Sequence, residues 1–174
     1  MITIRKATAS DLDAIETIYN NVHTAEEAGK LTIGWDRNVY PVRATAAAAL
    51  DRDDLFVMLD NDKVVATALI NQIQVPEYAN CNWRYDALEN EVMVLHTLAV
   101  DPDLHSNGYG REFVKFYESF AIENNCHYLR MDTNEKNAVA RRFYAKMGYE
   151  ERGVVPCVFN GIPGVGLVCL EKKV

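Results

Sequence analysis

Leu98-Ala-Val-Asp-Pro-Asp-Leu-His-Ser-Asn-Gly108-Tyr-Gly110-Arg-Glu-Phe-Val114 is the stretch on which the reading of this chain turns. Its opening residues are apolar and stop at Asp101-Pro102. A polar loop follows, and Gly108 and Gly110 open an amphipathic run. Glycine at those two places lets the backbone reach φ > 0 and lets another group come close. A strand, a tight turn and a helix start, in that order, aim several unbonded N–H groups at one point with the positive helix end behind them. Such a cradle takes anions, and its natural ligand is a phosphate or diphosphate.

Outward from this turn, residues 91–100 read as a strand and 110–124 as a helix with Phe113, Tyr117, Phe120 and Ala121 on its apolar face. Upstream, residues 2–6 alternate as a short strand. Ser10 and Asp13 resemble a capping box for a helix carrying Leu12, Ile15, Tyr19 and Val22. Pro41 suits the first turn of a second helix running through Leu50. Residues 29–40 between these helices are irregular and hold Trp35 and Tyr40. Residues 55–59 and 64–70 flank a hairpin turn at 60–63. A long polar loop, 76–90, contains Tyr78, Trp83 and Tyr85. Downstream come a strand at 128–132 and a helix capped by Asn137 that buries Val139, Phe143 and Met147 and stops at Gly148. Two last strands, near 149–155 and 165–170, are separated by a turn over 159–164. The order β-α-α-β-β-β-α-β-α-β-β predicts a mixed α/β (α+β) single domain over residues 1–174, one sheet with helices packed on it.

The bulk numbers limit function. With 174 residues, 49% hydrophobic and 25% charged, the chain has an ordinary soluble composition with enough length for a sizeable core. No apolar run approaches the ~20 residues of a membrane span. Met1-Ile-Thr-Ile-Arg-Lys6 places charge where an export signal needs an apolar segment, so a cytoplasmic location is expected. A net charge of −7 argues against nucleic acid, whose binding rests on neutralised phosphates. Cys81, Cys126, Cys157 and Cys169 are scattered without a Cys-x-x-Cys pair, and are expected as free thiols with no disulfide and no metal site.

The residues His105-Ser-Asn-Gly108-Tyr-Gly110, preceded by Leu98-Ala-Val-Asp-Pro102, resemble the acyl-CoA signature of the GCN5-related N-acetyltransferase (GNAT) superfamily. That signature reads Arg/Gln-x-x-Gly-x-Gly/Ala after a central strand. A second family signature appears downstream as Asn137, Phe143-Tyr144 and Gly148-Tyr149, in the right order and on the right elements. The resemblance covers nearly the whole chain. It implies the acyl-CoA N-acyltransferase fold, a mostly antiparallel sheet of about seven strands with about four helices, and acetyl-CoA as acyl donor without a metal. His105 stands where the family usually has Arg or Gln, and Ser106 where Gly is common. Backbone N–H groups do most of the diphosphate binding in the family, so the cradle is expected to survive.

Carried over residue by residue, the resemblance implies that His105, Ser106, Asn107, Gly108, Tyr109, Gly110 and Arg111 hold the diphosphate. Leu98, Ala99 and Val100 would pair with the pantetheine arm as an added strand does, and Asn137 and Tyr144 would complete the cofactor site. Arg111, Lys115, Arg141, Arg142 and Lys146 put positive charge on the two flanking helices. Tyr144 sits about 100° around its helix from Phe143, towards the cleft. It is the candidate acid: a phenol near pKa 10 can protonate a leaving thiolate near 8.5 at a cost of about 2 kcal/mol. An acceptor ammonium must lose a proton first, and Glu91 and His96 are the candidate bases. Separated by an odd number of residues, they face opposite sides of a regular strand. Trp35, Tyr40, Tyr78, Trp83 and Tyr85 could line the acceptor pocket, where aromatic faces suit an ammonium.

The expected activity is acetyl transfer to a primary amine of a small molecule or peptide by direct attack in a ternary complex. A non-catalytic acyl-CoA sensor or scaffold is the alternative. A nucleotide-binding module is disfavoured, because no P-loop lysine or acidic ribose contact is placed for it. The final strands and exposed sheet edge are compatible with a homodimer.

Overall fold

The computed structural model describes the backbone of residues 1–174 and all side chains except those of His105 and Ser106. Seven strands form one sheet in the order β1-β2-β3-β4-β5-β7-β6: β1 (Ile2–Lys6), β2 (Leu55–Asp60), β3 (Lys63–Asn71), β4 (Val92–Val100), β5 (Tyr128–Asn134), β6 (Glu150–Phe159) and β7 (Ile162–Lys173). Only β4 and β5 pair in parallel. The helices are α1 (Leu12–Glu27), α2 (Arg43–Asp51), α3 (Tyr109–Glu123) and α4 (Ala138–Lys146).

Period-two alternation sorts the core into layers. From β2, Leu55 and Val57 join Ile15, Ile18, Tyr19 and Val22 of α1. Phe56 and Met58 face the other way, onto Phe113, Val114 and Tyr117 of α3. The hairpins close on Asn61-Asp62 and Asn160-Gly161, all at positive φ, as two-residue turns between twisted strands require. The second hairpin is longer than expected, and the anticipated 159–164 turn shrinks to that dipeptide.

Several local expectations are corrected. The capping box uses Thr8 and Asp11, not Ser10 and Asp13: Asp11 Oδ2 accepts from the Thr8 N–H at 2.7 Å. Arg5 holds the Asp11 carboxyl down at about 2, chiefly by hydrogen bonding. α2 begins at Arg43, after a cis Tyr40-Pro41 bond. α4 turns Tyr144 inward and leaves Val139 69% exposed, because its inward face borders a cleft rather than a closed core. Two cysteines are not free thiols: Cys81 and Cys169, 88 residues apart, form a disulfide. The fold lays the 76–90 loop over β7, a proximity that no local spacing reveals. Cys126 and Cys157 remain thiols.

Candidate active site

Two irregularities in β4 create the site. Thr67 pairs with Ala99 but Leu69 pairs with His96, so β4 carries one extra residue there, and Thr97 takes φ 53°. The parallel pairing of β4 with β5 ends at Leu95–Met131, and past that point the β4 edge has no strand partner on the β5 side. A cavity of about 550 Å³ occupies the gap. His96, Thr97 and Leu98 line it from β4, Asp132, Thr133 and Asn134 from β5, and Asn137, Ala140 and Tyr144 from α4 and its cap. The rest of the wall comes from Ile33, Trp35 and Tyr40, from α2, and from the β6–β7 hairpin.

The Gly-rich turn sits beside this splay. Gly108 adopts φ 77°, and a Cβ there would meet nothing within 4 Å. α3 has no side-chain cap, and its first backbone bond runs from the Glu112 N–H to the Gly108 carbonyl at 3.1 Å. The N–H groups of Tyr109, Gly110 and Arg111 therefore have no acceptor within the helix. Tyr109 fixes the helix start by donating its hydroxyl to Asp60 Oδ2 at 2.7 Å. At Gly110 a Cβ would lie 3.7 Å from the Phe143 ring and 3.9 Å from Val100. The side chains of His105 and Ser106 lie outside the described residues. Of the five basic residues, Lys115 pairs with Glu112 and Arg141 with Glu151, whereas Arg111 and Arg142 extend from the two helices beside the turn and Lys146 ends α4.

The structure gathers some of the expected residues and not others. Leu98 faces the cavity, while Ala99 is buried against α1 and Val100 packs on the α3 side. Asn137 caps α4, its Oδ1 accepting from the Ala140 N–H at 3.0 Å, and borders the cavity. Tyr144, 8% exposed, also borders it, and its hydroxyl has no partner among the described residues. Burial, and then the Asp132 charge, push the Tyr144 phenol up, so it holds its proton. Glu91 is not brought to the cavity. It lies before β4, at the end away from the splay, and its carboxylate accepts from the Leu88 N–H at 2.9 Å.

His96 does line the cavity. Burial holds its imidazole down at about 4, so it is neutral and weakly basic. Trp35 and Tyr40 also line the cavity, and the Tyr40 hydroxyl bonds to Thr97 Oγ1. Tyr78, Trp83 and Tyr85 instead anchor the loop. Trp83 Nε1 donates to the Tyr78 carbonyl at 2.8 Å, the Arg130 guanidinium stacks 4.3 Å above Trp83, and Tyr85 packs on Tyr128. Arg130 and Glu171, both almost fully buried, pair at 3.1 Å, and Glu171 Oε1 accepts from the Arg84 N–H at 2.8 Å.

One residue of the site was missing from the sequence reading. Asp132 ends the apolar part of β5 and faces the cavity, and its Oδ2 accepts from the Tyr78 hydroxyl at 2.7 Å. Desolvation lifts this carboxyl to about 6, against the opposing Tyr78 bond. The available signal was a lone acid in Tyr128-Leu-Arg-Met-Asp132, on the strand just before the helix of Tyr144.

The sequence profile of the Acetyltransferase (GNAT) family matches residues 14–149. The chain belongs to this family. Two uncharacterized N-acetyltransferases of Methanocaldococcus jannaschii are similar to it. One is 26% identical over 159 residues, covering 88% of this chain and 62% of its own length. The other is 25% identical over 172 residues, covering 98% and 90%. The chain thus spans less than two thirds of the first relative. The GNAT fold is shared with an acetyltransferase from Streptococcus agalactiae 2603 at TM-score 0.83 and 20% identity, covering 99% and 95% of the two chains. It is shared too with the ribosomal-protein-S18-alanine N-acetyltransferase from Escherichia coli at TM-score 0.68 and 18% identity, covering 99% and 94%. No helix among the described residues is long and apolar enough to cross a membrane.

Proposed function

We propose that this GNAT protein transfers an acetyl group from acetyl-CoA to a primary amine in a ternary complex, with Asp132 as base and Tyr144 as acid. The observation that carries this reading is the meeting of a cavity-facing carboxylate and an unpartnered phenol where β4 and β5 part, beside an uncapped helix start. The uncapped first turn of α3 and the open space at Gly108 fit a diphosphate, and the unpaired β4 edge at Leu98 and Val100 fits an amide-bearing arm. Acetyl-CoA supplies the acetyl group as an activated thioester.

Asp132 takes a proton from the acceptor ammonium at its carboxylate. From a peptide α-ammonium near 7.8 to a carboxyl near 6 the transfer is uphill by about 2.5 kcal/mol, against about 5.5 for an ordinary aspartate, and a more basic amine adds to both figures alike. Tyr78 orients that carboxylate through its hydroxyl. Tyr144 holds a proton at Oη for the departing sulfur. The two groups assist each other: the Asp132 charge raises the Tyr144 phenol, so neutralising Asp132 makes the phenol a better donor. His96, neutral and bonded to Asn71 Oδ1 at 2.9 Å, shapes the acceptor end and is not the base.

Release of free thiol from acetyl-CoA across a panel of amines tests the reading, with calorimetric titration of CoA beside it. Turnover that collapses in Tyr144→Phe supports it. CoA binding without turnover on any amine replaces it with a sensor function.

A further inference from the structure

The cavity wall carries one charge of each sign. Among its described lining residues Asp132 is the one acid and Arg52, which ends α2, the one lysine or arginine. Thr45, Ala48 and Arg52 share a face of α2 at helical spacing, and that face borders the cavity. Arg52 is held in one orientation from behind: its Nε and one terminal nitrogen donate to Asp54 Oδ2 and Oδ1 at 2.9 and 3.3 Å. Asp54 is 6% exposed, accepts from Asn71 Nδ2 at 2.9 Å, and is absent from the cavity lining. A guanidinium has donors beyond those two.

The surroundings leave that cation unopposed on the cavity side. Asn71 is fixed as an amide, because Nδ2 faces Asp54 while Oδ1 accepts from the Ile73 N–H at 2.9 Å. His96 Nε2 must then be the donor to Oδ1, and the ring carries no charge near neutrality. The Tyr40 phenol feels both charges. Burial pushes it up to about 12, with the Asp132 charge adding to the shift and the Arg52 charge opposing it.

We propose that the acceptor is a small zwitterion, a primary amine bearing a carboxylate, with its ammonium at Asp132 and its carboxylate at Arg52. The inference rests on the N-acetyltransferase reading and narrows its substrate class. A diamine or polyamine would set its second cation against Arg52, and a peptide would offer an amide where the carboxylate belongs.

The test runs amino acids beside their own amides and decarboxylated amines, measuring thiol release and calorimetric binding. At least one acid should exceed its amide and amine by about 10-fold or more in kcat/KM, the worth of one charge-assisted hydrogen bond. In Arg52→Gln that advantage should vanish through KM, with amides and amines unaffected, and Arg52→Lys should restore part of it. The comparison of each acid with its own amide in the wild-type protein needs no variant, and it keeps the proposal testable if Arg52→Gln exposes Asp54 and fails to fold. Equal turnover of all three forms, or an effect of Arg52→Gln common to all three, overturns the zwitterion and leaves N-acetyl transfer standing. No turnover with any amine overturns both.

Discussion

Replacing Asp132 with asparagine keeps the shape and the Tyr78 contact but removes the one cavity carboxylate. Desolvation raises this group from 3.8 to about 6. The shift brings the carboxylate about 3 kcal/mol closer to an amine in proton affinity, roughly a hundredfold in the protonation equilibrium. Loss of a positioned base costs about 10²–10⁴ in rate, so kcat/KM in Asp132→Asn should fall into that range. The wild-type profile of kcat/KM against pH should rise through an acid limb near 6, and the variant should lack that limb. Stability changes in step. A carboxyl raised in the folded state adds stability that is full below 3.8 and lost as pH rises through about 6. His96, lowered from 6.5 to about 4, acts oppositely: its stabilisation is full above 6.5 and lost as pH falls through about 4. The two nearly offset in wild type, each about 3 kcal/mol. Asp132→Asn should therefore lose melting temperature more steeply than wild type between pH 6.5 and 4. Thiol-release profiles and thermal melts across pH 4–9, on material shown to bind CoA, measure both. An acid limb near 6 surviving in the variant would refute the assignment of the base.

Tyr144→Phe should lower kcat at least ~10²-fold with little change in CoA affinity, because the hydroxyl makes no described protein contact whose loss would disturb binding. Stopped-flow or steady-state thiol assays read this, and near-normal turnover removes Tyr144 from the mechanism. Gly108→Ala puts a Cβ into open space at φ 77°, at a backbone cost of about 1–2 kcal/mol, and should weaken CoA binding by calorimetry; unchanged affinity would show that the cradle does not depend on this turn. Arg130→Leu leaves Glu171 buried without its partner and should cost about 3–5 kcal/mol in urea unfolding; a loss under 1 kcal/mol would mean that solvent reaches Glu171.

The sequence by itself determined what is local. Gly108 and Gly110 announced a left-handed turn and a helix start because backbone freedom and an uncapped first turn belong to a few consecutive residues. Helical phase set Tyr144 about 100° from Phe143, towards the cleft, but wrongly counted Val139 as buried, and apolar runs between turn residues marked the strands along the chain. Tertiary structure alone decided which groups meet. Tyr78 reaches Asp132 across 54 residues, and only packing raises that carboxyl. Where β4 and β5 part decides that His96 borders the cavity and Glu91 does not, and pairing length is a property of two strands together. The Cys81–Cys169 bond and the place of Arg52 on the cavity wall arise likewise from surfaces brought together by the sheet, at separations where spacing along the chain carries no information about distance in space.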